Sequence, residues 1–223
     1  MRRHAPPLPQ LILASRSPRR RFLIQYLQQP IRVQEADVDE ESVTHPDPAA
    51  NALQTARLKA GAVKVPGEGA FIVIAADTIV AMNGEIFGKP ADAIEAGRML
   101  RRLRGRTHQV HTGIALVERP SGRLESDVST THVTMRSYSD EAIEQYVAGG
   151  DPLDKAGAYA IQHRGFNPAA DLEGCYTGVV GLPLCKLCTA LERLNVNVAL
   201  DVDTLYSDYG RCRTCLSLMD RES

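Results

Sequence analysis

The segment Leu11-Ile-Leu-Ala-Ser-Arg-Ser-Pro-Arg-Arg-Arg21 places three guanidinium groups directly behind two serines. Pro18 suits the first turn of a helix. Arg19, Arg20 and Arg21 then load that turn with positive charge, where the helix dipole favours anions. Such a turn gains when the missing anion is a ligand, since helix N-termini accept phosphate readily. A solvated basic helix start is the plainer alternative. Further on, Ala75-Ala-Asp77-Thr78 sets a carboxylate at the C-terminal end of the most strand-like run, where α/β proteins place ligands. Twelve positions later Gly88-Lys89-Pro90 presents a lysine after a hairpin. An acid and a base on the two ends of a hairpin can face one cleft, with Asp77 suited to metal binding or water activation and Lys89 to phosphate charge. The competing reading is a surface ion pair at the hairpin mouth, worth little.

Weaker signals lie beyond. Asp154-Lys-Ala-Gly-Ala-Tyr-Ala-Ile-Gln162 interleaves small residues with charges, which lets a backbone approach a ligand closely, or makes an ordinary loop. Arg104 and Arg106 flank Gly105 at a helix C-terminus, which welcomes cations for structural reasons. His111 and His132, on expected strands, read as satisfied structural residues. Cys185-x-x-Cys188 and Cys212-x-x-Cys215 have the pairing of a structural zinc site. Against zinc, Cys185 and Cys188 fall on an expected helix where one-turn spacing suits core-facing small residues, and the tail would have to fold back. Two unrelated buried or reduced pairs are the favoured expectation, with Cys175 buried.

The elements that must position these groups alternate between strand and helix, which indicates an α/β class. Leu11–Leu13 reads as a buried strand, 19–28 as a helix stopped by Pro30, and 31–38 as a strand running into the acidic loop Asp37-Val-Asp-Glu-Glu41. Apolar residues at helical spacing mark a helix over 46–63. The run 70–76 is a central strand, and Asn83-Gly84 joins a hairpin between 78–82 and 85–87. A helix over 91–104, paired strands over 107–118 and 124–135, a helix over 140–147 capped by Ser139, and a last helix over 182–194 complete the series.

The chain of 223 residues is long enough for one large core or two small lobes. Its 26 Lys and Arg nearly balance 27 Asp and Glu, so no global field recruits nucleic acid or a membrane surface. No Trp and few aromatics argue against a base-stacking platform. Residues 1–10 carry no apolar core of a signal peptide, and no apolar run is long enough to cross a bilayer. The expectation is a cytoplasmic protein with reduced cysteines.

Taken together, these motifs resemble the Maf family of nucleoside triphosphate pyrophosphatases. The resemblance spans 11–194, leaving 1–10 as an extension and 195–223 as a tail. It rests on Leu13-Ala-Ser-Arg-Ser-Pro-Arg-Arg20, Ala75-Ala-Asp-Thr78, Gly88-Lys-Pro90, Gly105-Arg-Thr-His-Gln-Val-His-Thr-Gly113, Asp154–Gln162 and Val179-Val-Gly-Leu-Pro-Leu184 in that order. It implies a two-lobed, inosine-triphosphatase-like α/β fold, with an elongated mixed sheet flanked by helices and a central cleft. It implies cleavage between the α- and β-phosphates by water, releasing a nucleoside monophosphate and pyrophosphate. Carried over by position, Ser15, Arg19, Arg20, Lys59 and Lys89 would hold phosphates. Glu40 and Asp77 would hold Mg²⁺ or Mn²⁺, with Asp77 the base for water. Such a cation takes one or two carboxylates plus substrate oxygens.

The branch of the family acting on dTTP and UTP resembles this chain most, with Arg19, Thr78 and Gln162 shaping base selection. Gln162 suits that role because an amide pairs with both a donor and an acceptor on a pyrimidine edge. The 7-methyl-GTP branch ranks second. A non-catalytic nucleotide-binding division regulator is the rival from another class. The resemblance also implies a house-cleaning or division-control role and allows a homodimer. The Gly149-Gly150 stretch, the 163–168 segment and the cysteine-bearing tail depart from the family pattern.

Overall fold

A computed structural model describes residues 9–65 and 69–209. Seven strands form one mixed sheet in the order β2-β1-β3-β5-β6-β7, with β4 pairing β3 off that path. The strands are β1 Gln10–Leu13, β2 Ile31–Val33, β3 Phe71–Met82, β4 Glu85–Phe87, β5 Thr107–Arg119, β6 Leu124–Met135 and β7 Ala169–Glu173. The short β1 is parallel to both β2 and β3, whereas β3, β5 and β6 form a long antiparallel platform. The expected α/β class with an elongated mixed sheet holds.

The helices are α1 Pro18–Leu23, α2 Pro48–Ala62, α3 Ala93–Leu103, α4 Asp140–Ala148, α5 Tyr176–Val180, α6 Leu184–Arg193 and α7 Val202–Tyr209. Four of the helix starts follow from local chemistry. Ser17, Asp47, Asp92 and Ser139 accept a backbone N–H from the first turns of α1, α2, α3 and α4. The expected helix over 19–28 shortens to α1 plus a 3₁₀ turn at Ile24–Leu27, ended by Gln28 in a left-handed conformation. The expected strand over 31–38 pairs only as far as Val33.

Three apolar clusters divide the work. One lies under β1, α1 and α6, built on Leu13, Leu23, Ile74, Leu116 and Leu187. The described part of the tail joins it: Leu205 of α7 is buried there, and Tyr26 donates a hydrogen bond to Asp208. A second surrounds the far end of the platform, with Phe87, Leu100, Val133, Ile143 and Tyr159. The third lies beneath α2, where Ala56 and Ala60 meet Val73, Ala75 and Ala115. Small residues on that face let the helix lie close to the sheet. At Gly113 a Cβ would stand 2.6 Å from the carbonyl of Ala52, so only glycine admits the helix at this depth.

One edge of β3 is left uncovered between two neighbouring strands. β1 pairs with β3 up to Ile74, and β4 joins the same long strand only from Val80. Among the described residues no strand covers that stretch of the edge between them. Asp77 and Thr78 fall on this uncovered stretch, and although adjacent strand residues point to opposite faces, both line one cleft.

Candidate functional site

The cleft has a volume of about 450 Å³. Its walls come from the turn after β1, the acidic loop before α2, the exposed stretch of β3, and the segment following α4. Ser15, Arg19, Arg20, Glu40, Lys59, Asp77, Thr78, Lys89 and Gln162 all line it. Every catalytic, substrate-binding and metal residue expected from the sequence, the four candidate zinc cysteines aside, therefore lines one space.

At its centre is a buried ammonium. Lys59 lies on the sheet-facing stripe of α2 that also carries Ala52, Ala56 and Ala60. The close seat of that helix brings its Nζ to 2.7 Å from Asp77 Oδ1 and 2.7 Å from Glu40 Oε2. Lys59 and Asp77 are 9% and 15% exposed in their side chains, while Glu40 is 53% exposed and reaches in from the short 3₁₀ turn Glu40–Ser42. Two carboxylates converging on one point carry one charge more than the ammonium cancels. The fit to a divalent cation is good, since hard cations take carboxylate oxygens and leave positions for phosphate.

The serine–arginine turn forms the opposite wall. Ser15 is buried, and its hydroxyl accepts the backbone N–H of Ser17 at 3.1 Å. Since α1 has only six residues, the charge of this wall comes chiefly from side chains. Arg19 reaches across the mouth to Asp154, 3.2 Å away in the segment following α4. Arg20 turns inward, donating from Nε to the carbonyl of Gly181 at 2.8 Å and from Nη2 to Thr78 Oγ1 at 3.1 Å. Burial lowers the pKa of this guanidinium, an effect opposed by the charge of Asp77. Thr78 also meets Thr112, whose hydroxyl donates to the carbonyl of Gly178 at 2.7 Å. Lys89 stands exposed after β4 and makes no ion pair among the described residues. Gln162 is half-buried, and its amide has no hydrogen-bond partner among the described residues.

Three contributors carried no assigned role in the sequence reading. Arg21, grouped there only with the turn's positive charge, donates to the carbonyl of Ser15 at 3.2 Å and pairs with Glu35, which braces the turn from behind. Lys155 is buried among Asp151 and Asp154 while lining the cleft. Tyr159 lines the cleft and shares a 2.7 Å hydrogen bond with buried His108. Burial raises the pKa of Tyr159 and pushes His108 down to about 4. Small residues near Lys155 do permit a close backbone approach, but to β3: a Cβ on Gly157, at φ 70°, would meet Val80 at 3.0 Å.

None of the described cysteines lines this cleft. Cys185 is buried on α6 and disulfide-bonded, against the expectation of reduced cysteines; Cys188 is a half-buried free thiol, and Cys175 is buried as the N-cap of α5. Cys212 and Cys215 lie outside the described residues, as does the remainder of any four-thiolate site. Among the described residues no group of three or more metal-ligating side chains occurs, and no helix is long and apolar enough to cross a membrane.

Comparison with known proteins shows the family. A dTTP/UTP pyrophosphatase of Pelotomaculum thermopropionicum is 44% identical over 189 residues, covering 85% of this chain and 98% of that one. One from Moorella thermoacetica is 45% identical, covering 84% and 96%. One from Myxococcus xanthus is 48% identical, covering 82% and 91%. Among solved structures, a HAM1 protein from Coxiella burnetii matches 59% of this chain and 75% of its own at 18% identity, with a TM-score of 0.40. The family model described as Maf-like protein matches residues 10–194, and the chain belongs to the Maf family.

Proposed function

We propose that this protein hydrolyses dTTP and UTP to the nucleoside monophosphate and pyrophosphate, using a divalent cation. The observation that carries the reading is the meeting of Asp77 and Glu40 at Lys59, inside a cleft whose other wall holds Ser15, Arg19 and Arg20. Relatives at 44–48% identity that bear the name dTTP/UTP pyrophosphatase support the substrate.

In this reading the triphosphate lies between Lys89 and the serine–arginine turn, with Arg19 exchanging Asp154 for phosphate oxygens. Asp77 and Glu40 would hold Mg²⁺ or Mn²⁺, which when bound neutralises charge on the phosphate oxygens. Asp77 takes the proton of the attacking water, and Lys59 holds that carboxylate in place. Attack at phosphorus depends mainly on positioning and charge neutralisation, and both are supplied by side chains on β3, α1, α2 and the turns beside them. The base lies towards Thr78 and Gln162. A non-catalytic binding protein would not require the paired carboxylates.

The test is a screen of common and methylated nucleoside triphosphates with Mg²⁺ or Mn²⁺, following nucleoside monophosphate and pyrophosphate. Release of both from dTTP and UTP is expected. Preference for 7-methyl-GTP, release of orthophosphate, or no turnover of any nucleotide would overturn the proposal.

A further inference from the structure

The hydroxyls behind Thr78 form a chain whose proton direction is determined by its end. Thr112 is fully buried, and its single O–H donates to the carbonyl of Gly178 at 2.7 Å, since a carbonyl only accepts. Its 3.0 Å contact with Thr78 must then be a bond that Thr78 donates. Arg20, a pure donor, occupies one lone pair of the Thr78 oxygen from 3.1 Å. One lone pair of Thr78 remains. Gly181 closes over the group, where a Cβ would stand 3.3 Å from Arg20 Nε and 3.4 Å from Thr78 Oγ1.

We infer that Thr112 and Arg20 are positioning residues that lock Thr78 as a hydrogen-bond acceptor, so that the cleft selects bases carrying an imide N–H over cytosine. This rests on the reading of the cleft as a pyrimidine triphosphate site. Gln162 cannot make the distinction by itself. Its amide has no partner among the described residues and offers a donor and an acceptor, so a half-turn suits either base edge. Uracil and thymine present a donor at N3, whereas cytosine presents a lone pair there. A hydroxyl free to rotate would accept both. Thr78 is not free, because its proton is committed to Thr112 and its oxygen to Arg20. Cytosine therefore meets lone pair against lone pair, and a site built around one hydrogen-bond polarity rejects the opposite one strongly.

The experiment compares kcat/KM for UTP and CTP in the full chain, its Thr112→Val variant and its Thr112→Ser variant, with Mg²⁺ and a thermal melt for each. The wild type is expected to prefer UTP by at least about tenfold. Thr112→Val removes the acceptor, frees the Thr78 proton and lowers the UTP:CTP ratio about tenfold. Thr112→Ser keeps a hydroxyl and holds the ratio near the wild-type value. A purely structural Thr112 would lower the melting temperature and both activities together, leaving the ratio unchanged, and that result overturns the inference. Equal use of UTP and CTP by the wild type also overturns it, whether or not the valine variant folds. Absence of turnover on UTP and dTTP defeats instead the substrate reading beneath it.

Discussion

Lys59 Nζ lies 2.7 Å from Asp77 Oδ1 with both side chains almost withdrawn from water, and the same nitrogen lies 2.7 Å from Glu40. A buried charge left without its partner is costly, so removing the ammonium leaves two facing carboxylates that repel each other. Lys59→Met is expected to lower the melting temperature in the absence of metal. A divalent cation that binds the folded state should restore it. The check is a melt with and without Mn²⁺, where the Mn²⁺-induced rise is larger in the variant than in the wild type. An equal or smaller rise would contradict convergence of Asp77 and Glu40 on a cation.

Arg19 and Asp154 pair across the mouth of the cleft at 3.2 Å, with Asp154 63% exposed. Such a pair contributes at most about 1 kcal/mol to stability. Asp154 also accepts from the buried ammonium of Lys155 at 2.6 Å, so Asp154→Asn should lower the unfolding midpoint through that contact rather than through Arg19. The substitution should also lower KM for the triphosphate severalfold, since Arg19 no longer divides its charge between a carboxylate and phosphate. The gain should shrink at high ionic strength, because these charges are solvent-screened.

Gly113 lies beneath α2, with the Ala52 carbonyl and Leu53 Cα each 2.6 Å from where a Cβ would be. Backbone must move to admit a methyl group, so Gly113→Ala should cost about 2 kcal/mol or more in chemical denaturation. Activity should fall beyond the loss of folded protein, because the helix that shifts carries Lys59.

His108 is held neutral by burial, its pKa pushed from 6.5 to about 4. Between those values the unfolded chain takes up a proton that the folded chain refuses. The stability contributed by neutral His108 is therefore complete above pH 6.5 and lost as pH falls towards 4. His108→Gln, which can still bond Tyr159, removes that proton uptake. Between pH 7 and pH 5 the wild type should lose about 2 kcal/mol more unfolding free energy than the variant.

The legible part of this molecule was its chemistry-bearing types on strong elements. Asp77 follows a β-branched apolar run, Lys89 follows an Asn-Gly hairpin, and the serine–arginine turn follows a buried strand, so local pattern alone set each near a strand end. The hidden part is tertiary. β7 reads Ala-Ala-Asp-Leu-Glu, with little apolar alternation, and is a strand because β6 offers it an edge. Arg21 and Arg20 are neighbours in one basic run, yet one braces Ser15 while the other holds Gly181 and Thr78. Nothing local separates them, because their partners come from elsewhere in the chain. The opening along β3 is likewise a property of where β1 ends and β4 begins.

The central claim is that Asp77, held by Lys59, takes the proton of the water that attacks the α-phosphate. Its most direct test is pyrophosphate release from UTP by wild type and Asp77→Asn at saturating Mg²⁺, with a melt to verify folding. The account predicts pyrophosphate from the wild type and a loss of about 10²–10⁴-fold in kcat for the folded variant. Full activity of Asp77→Asn would contradict it.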